Sequence, residues 1–76
     1  MTPKEKADEL FTRYYVMLLE TDSEISEEVT ISILSQQLAL IAVDEILSFM
    51  DLFDLDIDMS IQFKWWQEVK QEIEKL

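Results

Sequence analysis

The sequence predicts an all-α protein, a small three-helix bundle with an acidic linker, in which residues 1–76 form one helical domain. Three observations predict it. Glycine is absent and proline occurs once, so tight hairpin turns lack their usual residues. Apolar residues recur at helical spacing in three stretches. Polar stretches near 20–26 and 54–60 separate those three runs.

The first helix is expected at about 3–20. Thr2 can cap it, Pro3 suits the first helical position, and Glu5 can close a capping box. Ala7, Leu10, Phe11, Tyr14, Met17 and Leu18 follow at helical spacing, and Ser23 or Ser26 offers the next cap. The second helix is expected at about 27–53, with Glu27 and Glu28 in a first turn that favours negative charge. No charged residue occurs between Val29 and Val43. Ile31, Leu34, Leu38, Ile41, Glu45 and Phe49 define one stripe, and Ile33, Leu40, Val43, Leu47 and Met50 another. A helix apolar on nearly all sides is expected to be the central one, with a narrow polar strip at Gln37, Asp44, Ser48 and Asp51. The β-branched Val29, Thr30, Ile31 and Ile33 also allow an extended start. The alternating stretch from Leu55 to Ile61 reads as an extended linker pointing Asp54, Asp56 and Asp58 outward. Ser60 then caps a third helix at about 61–75, with Phe63, Trp66, Val69, Ile73 and Leu76 on one face, Trp65 beside it, and Lys64 four residues before Glu68.

Composition excludes several functions. Cysteine and histidine are both absent, which removes disulfides, thiolate metal sites, the commonest metal ligand and the commonest general base. Without glycine, phosphate-cradling loops have no basis. No unbroken apolar run approaches 18 residues, so no membrane span is expected, and the opening MTPKEKADEL lacks the apolar core of a signal peptide. A hydrophobic share of 49% is generous for so small a surface and leaves room for a homodimer.

The formal net charge of −11 is unevenly placed. Lys4, Lys6 and Arg13 balance Glu5, Asp8 and Glu9, and Lys64, Lys70 and Lys75 balance Glu68, Glu72 and Glu74. Between Tyr14 and Phe63 there is no base at all. Eleven acids lie in that span: Glu20, Asp22, Glu24, Glu27, Glu28, Asp44, Glu45, Asp51, Asp54, Asp56 and Asp58. Direct contact with a phosphate backbone or an anionic membrane is not expected from such a chain.

Candidate chemistry is thin. Asp54, Asp56 and Asp58 match the start of a calcium loop, but Met59 and Trp65 stand where the loop needs glycine and glutamate. Asp44 and Glu45 are adjacent and so point to different sides of a helix; a carboxylate at the helix edge, reaching water or pairing with Lys64, Lys70 or Arg13, accounts for Glu45 better than acid–base work. Trp65-Trp66 lacks the basic groove of a base-stacking platform and reads as core and rim. No catalytic residue, metal site or cofactor is expected, and the chain is not expected to be an enzyme. The acidic clusters are either a solubilising surface or a docking face. Retaining Asp51 and Asp54 at a helix C-terminus, and so much self-repulsion in a small domain, favours a basic partner.

Three segments carry a resemblance. TPKEKADEL at 2–10, SQQLALIAVDEIL at 35–47 and WWQEVKQEIEKL at 65–76 resemble, in the same order, short phage and prophage proteins of Bacteroidetes. Those proteins share an opening TPKEKAxEL-like segment, a middle CALIAVDEI-like helix and a WxxVKxEIEKL-like end, with cysteine where this chain has Leu38. The acidic stretch at 50–60 departs from the shared pattern. In size, phage origin and charge the chain is also similar to anti-CRISPR proteins acting on the type VI-B RNA-guided ribonuclease of such hosts. The resemblance implies a phage product in the bacterial host cytoplasm.

Together these readings lead us to expect a stoichiometric inhibitor that binds a basic nucleic-acid-handling host protein, an RNA-guided CRISPR nuclease with or without its guide RNA. Asp51, Asp54, Asp56, Asp58, Glu24, Glu27 and Glu28 are the expected partner-binding residues, with Trp65 or Tyr15 as an apolar anchor. The alternatives are a structural, assembly or homodimeric phage protein, and a phage protein that grips host polymerase or a repressor.

Overall fold

A computed structural model describes residues 1–21, 28–52 and 57–76. They form three α-helices, α1 (Pro3–Thr21), α2 (Glu28–Asp51) and α3 (Ile57–Glu74), with no strand among the described residues. The architecture is the predicted all-α three-helix bundle.

The start of α1 follows from its first residues. The Thr2 backbone N–H donates to Glu5 Oε1 at 3.0 Å, and the Glu5 N–H donates to Thr2 Oγ1 at 3.1 Å. This reciprocal box satisfies two backbone donors that the first turn leaves without partners. The Lys6 N–H also reaches the Thr2 carbonyl, at 3.0 Å. The caps expected at Ser23 or Ser26 lie outside the described residues.

The β-branched opening of α2 is helical from Glu28 onward. α2 is not the central helix, however: each helix packs against both of the others to a similar extent. Its buried line is Ile31, Ser35, Ala39, Val43 and Met50. Two of those residues are small, and several large apolar residues of the same helix lie outside the line. Val29, Ile33, Ile41, Phe49 and Leu52 are exposed. Gln37, Asp44, Ser48 and Asp51 are exposed as expected, within a wider outward face. α2 is also long and apolar enough to cross a membrane by length and composition, contrary to the expectation from unbroken runs alone.

α3 begins at Ile57, so the described part of the expected extended linker, from Ile57 to Ile61, is helical and Ser60 lies inside the helix. The helical face explains this. Stepping back from Ile73 and Val69 through Trp66 and Phe63 reaches Met59, and all five are buried or half-buried. From Ile57 to Ile61 the alternation is that of a helix with polar residues between its apolar ones. Asp58 in the first turn adds a favourable charge at the positive end of α3.

The core joins Ala7 and Leu10 of α1, Ala39 and Val43 of α2, and Val69 and Ile73 of α3. Tyr14, Leu40, Leu47, Trp65 and Trp66 pack around it. Met17, expected on the buried face of α1, is half exposed. Buried polar groups are satisfied among the described residues. The one buried hydroxyl, Ser35 Oγ, donates to the Ile31 carbonyl one turn back at 2.7 Å. The Gln36 side-chain amide donates to the Ile73 carbonyl at 2.9 Å, tying α2 to the end of α3.

The bundle is elongated. Its extents are 46 × 22 × 16 Å, and Gln36, about two turns into α2, meets the end of α3, so these two helices do not end flush. Its radius of gyration is 14.1 Å, against about 11 Å for a compact domain of this length.

Candidate functional site

The described acids of the basic-free span fall mainly at the two ends of α2. At one end, Asp51 closes α2 and Asp58 lies in the first turn of α3, both exposed. The expected partner-binding residues between them, Asp54 and Asp56, lie outside the described residues. At the other end, Glu20 near the close of α1 and Glu28 at the start of α2 are exposed. Glu24 and Glu27 lie outside the described residues. Glu28 and Asp51 are separated by most of the length of α2, about 35 Å at 1.5 Å per residue.

The two ends differ in their local electrostatics. Asp51 faces the negative end of the α2 dipole, which disfavours it, whereas Asp58 and Glu28 sit at helix starts, which favour them. Charge retained at Asp51 therefore gains nothing from its own helix. At the Glu28 end, the Tyr15 hydroxyl donates to Glu28 Oε1 at 3.4 Å. Desolvation first, and then the Glu28 charge and hydrogen bond, push the Tyr15 phenol above its ordinary value. The Tyr15 ring stacks on Phe11 at 5.9 Å between centroids. An aromatic shelf thus lies directly beside one acidic end.

Trp65 is half-buried and packs against the core, so only its outer rim is available to a partner. It meets Trp66 edge to face, with centroids 5.1 Å apart and planes at 89°. Both indoles are half-buried against the core, where core and rim were expected.

One ion pair joins two helices near the middle of the molecule. Lys70 Nζ pairs with Asp44 Oδ1 at 2.9 Å, joining α3 to α2. The hydrogen bond to Asp44, and then its charge, raise the Lys70 ammonium above its ordinary value. Glu45 is exposed and is in none of the ion pairs of the described residues. Lys6 and Arg13 both pair with Glu9, at 2.8 and 3.6 Å, and Lys75 pairs with Glu72 at 3.2 Å. The expected Lys64–Glu68 pair is not among the ion pairs of the described residues. Among those residues, no group of three or more His, Cys, Asp or Glu side chains converges to hold a metal ion.

Sequence reasoning missed Ser35 and Gln36. Neither is charged or bulky, yet one is fully buried with its hydroxyl bonded one turn back and the other donates to the end of a neighbouring helix. Their signal was the small residues one turn apart, Ser35 and Ala39, in line with Ile31 and Val43.

Fold and surface define a small, elongated all-α helical bundle with exposed acids at both ends of α2. Comparison with protein-family models, with curated proteins and with solved structures gives no match.

Proposed function

We propose that this chain is a non-enzymatic, stoichiometric binding protein whose acidic ends engage a basic, nucleic-acid-handling protein. The observation that supports the reading is the placement of charge. Among the described residues, acids that are in no ion pair occur at both ends of α2, about 35 Å apart, and the sequence holds no base between Tyr14 and Phe63. Two carboxylate clusters at that spacing offer oxygens to Arg and Lys much as phosphates do, through charge-assisted hydrogen bonds. Asp51, Asp58 and Glu28 are the described contact residues, with Glu24, Glu27, Asp54 and Asp56 beside them in the sequence. Tyr15, next to Glu28, is better placed as the apolar anchor than Trp65, whose ring is committed to the core.

The specific form of the proposal comes from the resemblance of the 2–10, 35–47 and 65–76 segments to Bacteroidetes phage proteins. In that form the chain is an anti-CRISPR protein in the bacterial host cytoplasm, and its partner is a type VI-B RNA-guided ribonuclease. The test is target-RNA cleavage by that guide-loaded ribonuclease, titrated with this chain. Inhibition that saturates near one chain per nuclease, and is lost when Asp51, Asp54, Asp56 and Asp58 are changed to Asn, is the expected result. Undiminished inhibition by the Asn variant would refute the acidic contact. Absence of any inhibition would refute the choice of partner.

A further inference from the structure

Tyr15 and Glu28 bring an aromatic ring and a carboxylate together between α1 and α2. Phe11 and Tyr15 are one turn apart on α1, and their rings stack with centroids 5.9 Å apart and planes at 26°. Leu19, a further turn along the same line, is 51% exposed. Glu28 comes from the first turn of α2, where the helix dipole favours its charge. Its Oε1 accepts from the Tyr15 hydroxyl at 3.4 Å. The phenol therefore holds the carboxylate at the edge of its own ring.

This carboxylate has acceptor capacity to spare. A contact of 3.4 Å is longer than the ~2.5–3.0 Å of an ordinary O–H···O bond, so the tie is a weak one. A carboxylate has about four acceptor sites, and the phenol uses one of them. Glu28 is exposed and is in none of the ion pairs of the described residues. Arg13, the nearest base in sequence to Tyr15, pairs with Glu9 at 3.6 Å. Glu20, exposed near the close of α1, adds negative charge at the same end of the bundle.

A cation that meets both groups must lie on a ring and donate to a carboxylate at the edge of that ring. Guanidinium does both: it is planar, it stacks on aromatic faces, and its fork of N–H donors matches a carboxylate. An ammonium is more strongly hydrated and has no plane to stack. The aliphatic stem of arginine also has apolar surface to lay against Leu19.

We propose that Tyr15 and Glu28 form an arginine-binding site, in which the guanidinium of a partner arginine stacks on the Tyr15 ring and donates to the Glu28 carboxylate. The inference rests on the basic partner proposed above and adds a preference for arginine over lysine at one named end of the molecule. An acidic surface that acts by net charge alone has no such preference.

The probes are two capped hexapeptides of equal charge, one of arginine and one of lysine, titrated into the full chain at physiological salt and followed by NMR. The arginine peptide is expected to bind roughly two- to fivefold more tightly, the usual return of one exposed cation–ring contact, and to shift the Tyr15 ring signals. Tyr15→Leu is expected to abolish the preference. Glu28→Gln, which alters an exposed side chain and leaves the packing of α1 untouched, is expected to weaken the arginine peptide more than the lysine peptide. Glu20→Gln removes the same charge from the same end and is expected to weaken both equally. Equal affinities for the two peptides, an arginine preference that survives both Tyr15→Leu and Glu28→Gln, or Tyr15 ring signals unmoved at saturation would each overturn the proposal. The peptide titration is separate from the ribonuclease test. Loss of the arginine preference with inhibition retained removes this site alone, and an arginine preference without inhibition removes the choice of partner alone.

Discussion

The Gln36 side chain donates to the Ile73 carbonyl at 2.9 Å, and so a residue in the middle of α2 caps the end of α3. The last carbonyls of a helix have no partner within it. Here the tight turns closing α3, Lys75 N–H to the Glu72 carbonyl and Leu76 N–H to the Ile73 carbonyl, leave room for Gln36 to add a donor from outside. Changing Gln36 to Ala should destabilise the fold by about 1 kcal/mol, the usual net worth of one such bond. Gln36→Glu should cost more, since it sets a carboxylate against carbonyl oxygens at the negative end of α3. Urea unfolding followed by circular dichroism measures both.

Core and surface positions should separate sharply. Ile73 is fully buried, and Ile73→Ala should cost about 2–5 kcal/mol. A domain of this length has only about 4–11 kcal/mol in total, so the variant should be close to unfolding at body temperature. Ile61→Ala, at a position 63% exposed, should fall within about 0.5 kcal/mol of the unaltered chain. Thermal melts of the two variants side by side test the assignment of the α3 face.

Acid should weaken the start of α1. The hydrogen bonds from Thr2 hold the Glu5 carboxyl below its ordinary value, and Lys6 and then Arg13 do the same for Glu9. A carboxyl depressed in the folded state contributes stability above its unfolded value of 4.5, and that contribution is lost as pH falls through the lower folded value. Glu5→Gln should therefore lower the melting temperature at pH 7 and make no difference well below the folded-state value. Melting temperatures across pH 2–7 check this. The many other acids lose mutual repulsion over the same range, so the difference between variant and parent is the quantity to read.

Salt should stabilise the chain. The four ion pairs among the described residues, all at least partly exposed, contribute little each, whereas a net charge of −11 repels itself throughout. Raising ionic strength from 0.01 to 0.15 M shortens screening from ~30 to ~8 Å. The melting temperature should rise by several degrees, and Asp51→Asn should reduce that rise.

Much of the bundle was legible in the sequence because its signals are local. Thr2, Pro3 and Glu5 announce the start of α1, and the spacing of Phe63, Trp66, Val69 and Ile73 announces the face of α3. The start of α3 was obscured because Asp58 and Ser60 alternate with apolar residues, and a short alternation imitates a strand until the longer helical period is followed back to Met59. The position of α2 was misread for a different reason. High hydrophobicity does not by itself fix which side of a helix is buried: the buried line Ile31, Ser35, Ala39 and Val43 mixes small and large residues, and Ile33 and Ile41 remain outside. The acidic ends were legible as charge alone, and their separation along the rod follows directly from the length of α2.

The most direct test of the acidic-end account is the affinity of this chain for a guide-loaded type VI-B ribonuclease, measured by calorimetry at low and moderate salt. Each measurement is repeated with Glu28→Gln, Asp51→Asn and Asp58→Asn combined. The account predicts binding by the parent chain that weakens steeply with salt and falls at least tenfold in the combined variant. Equal affinity of parent and variant, with no dependence on salt, would contradict it.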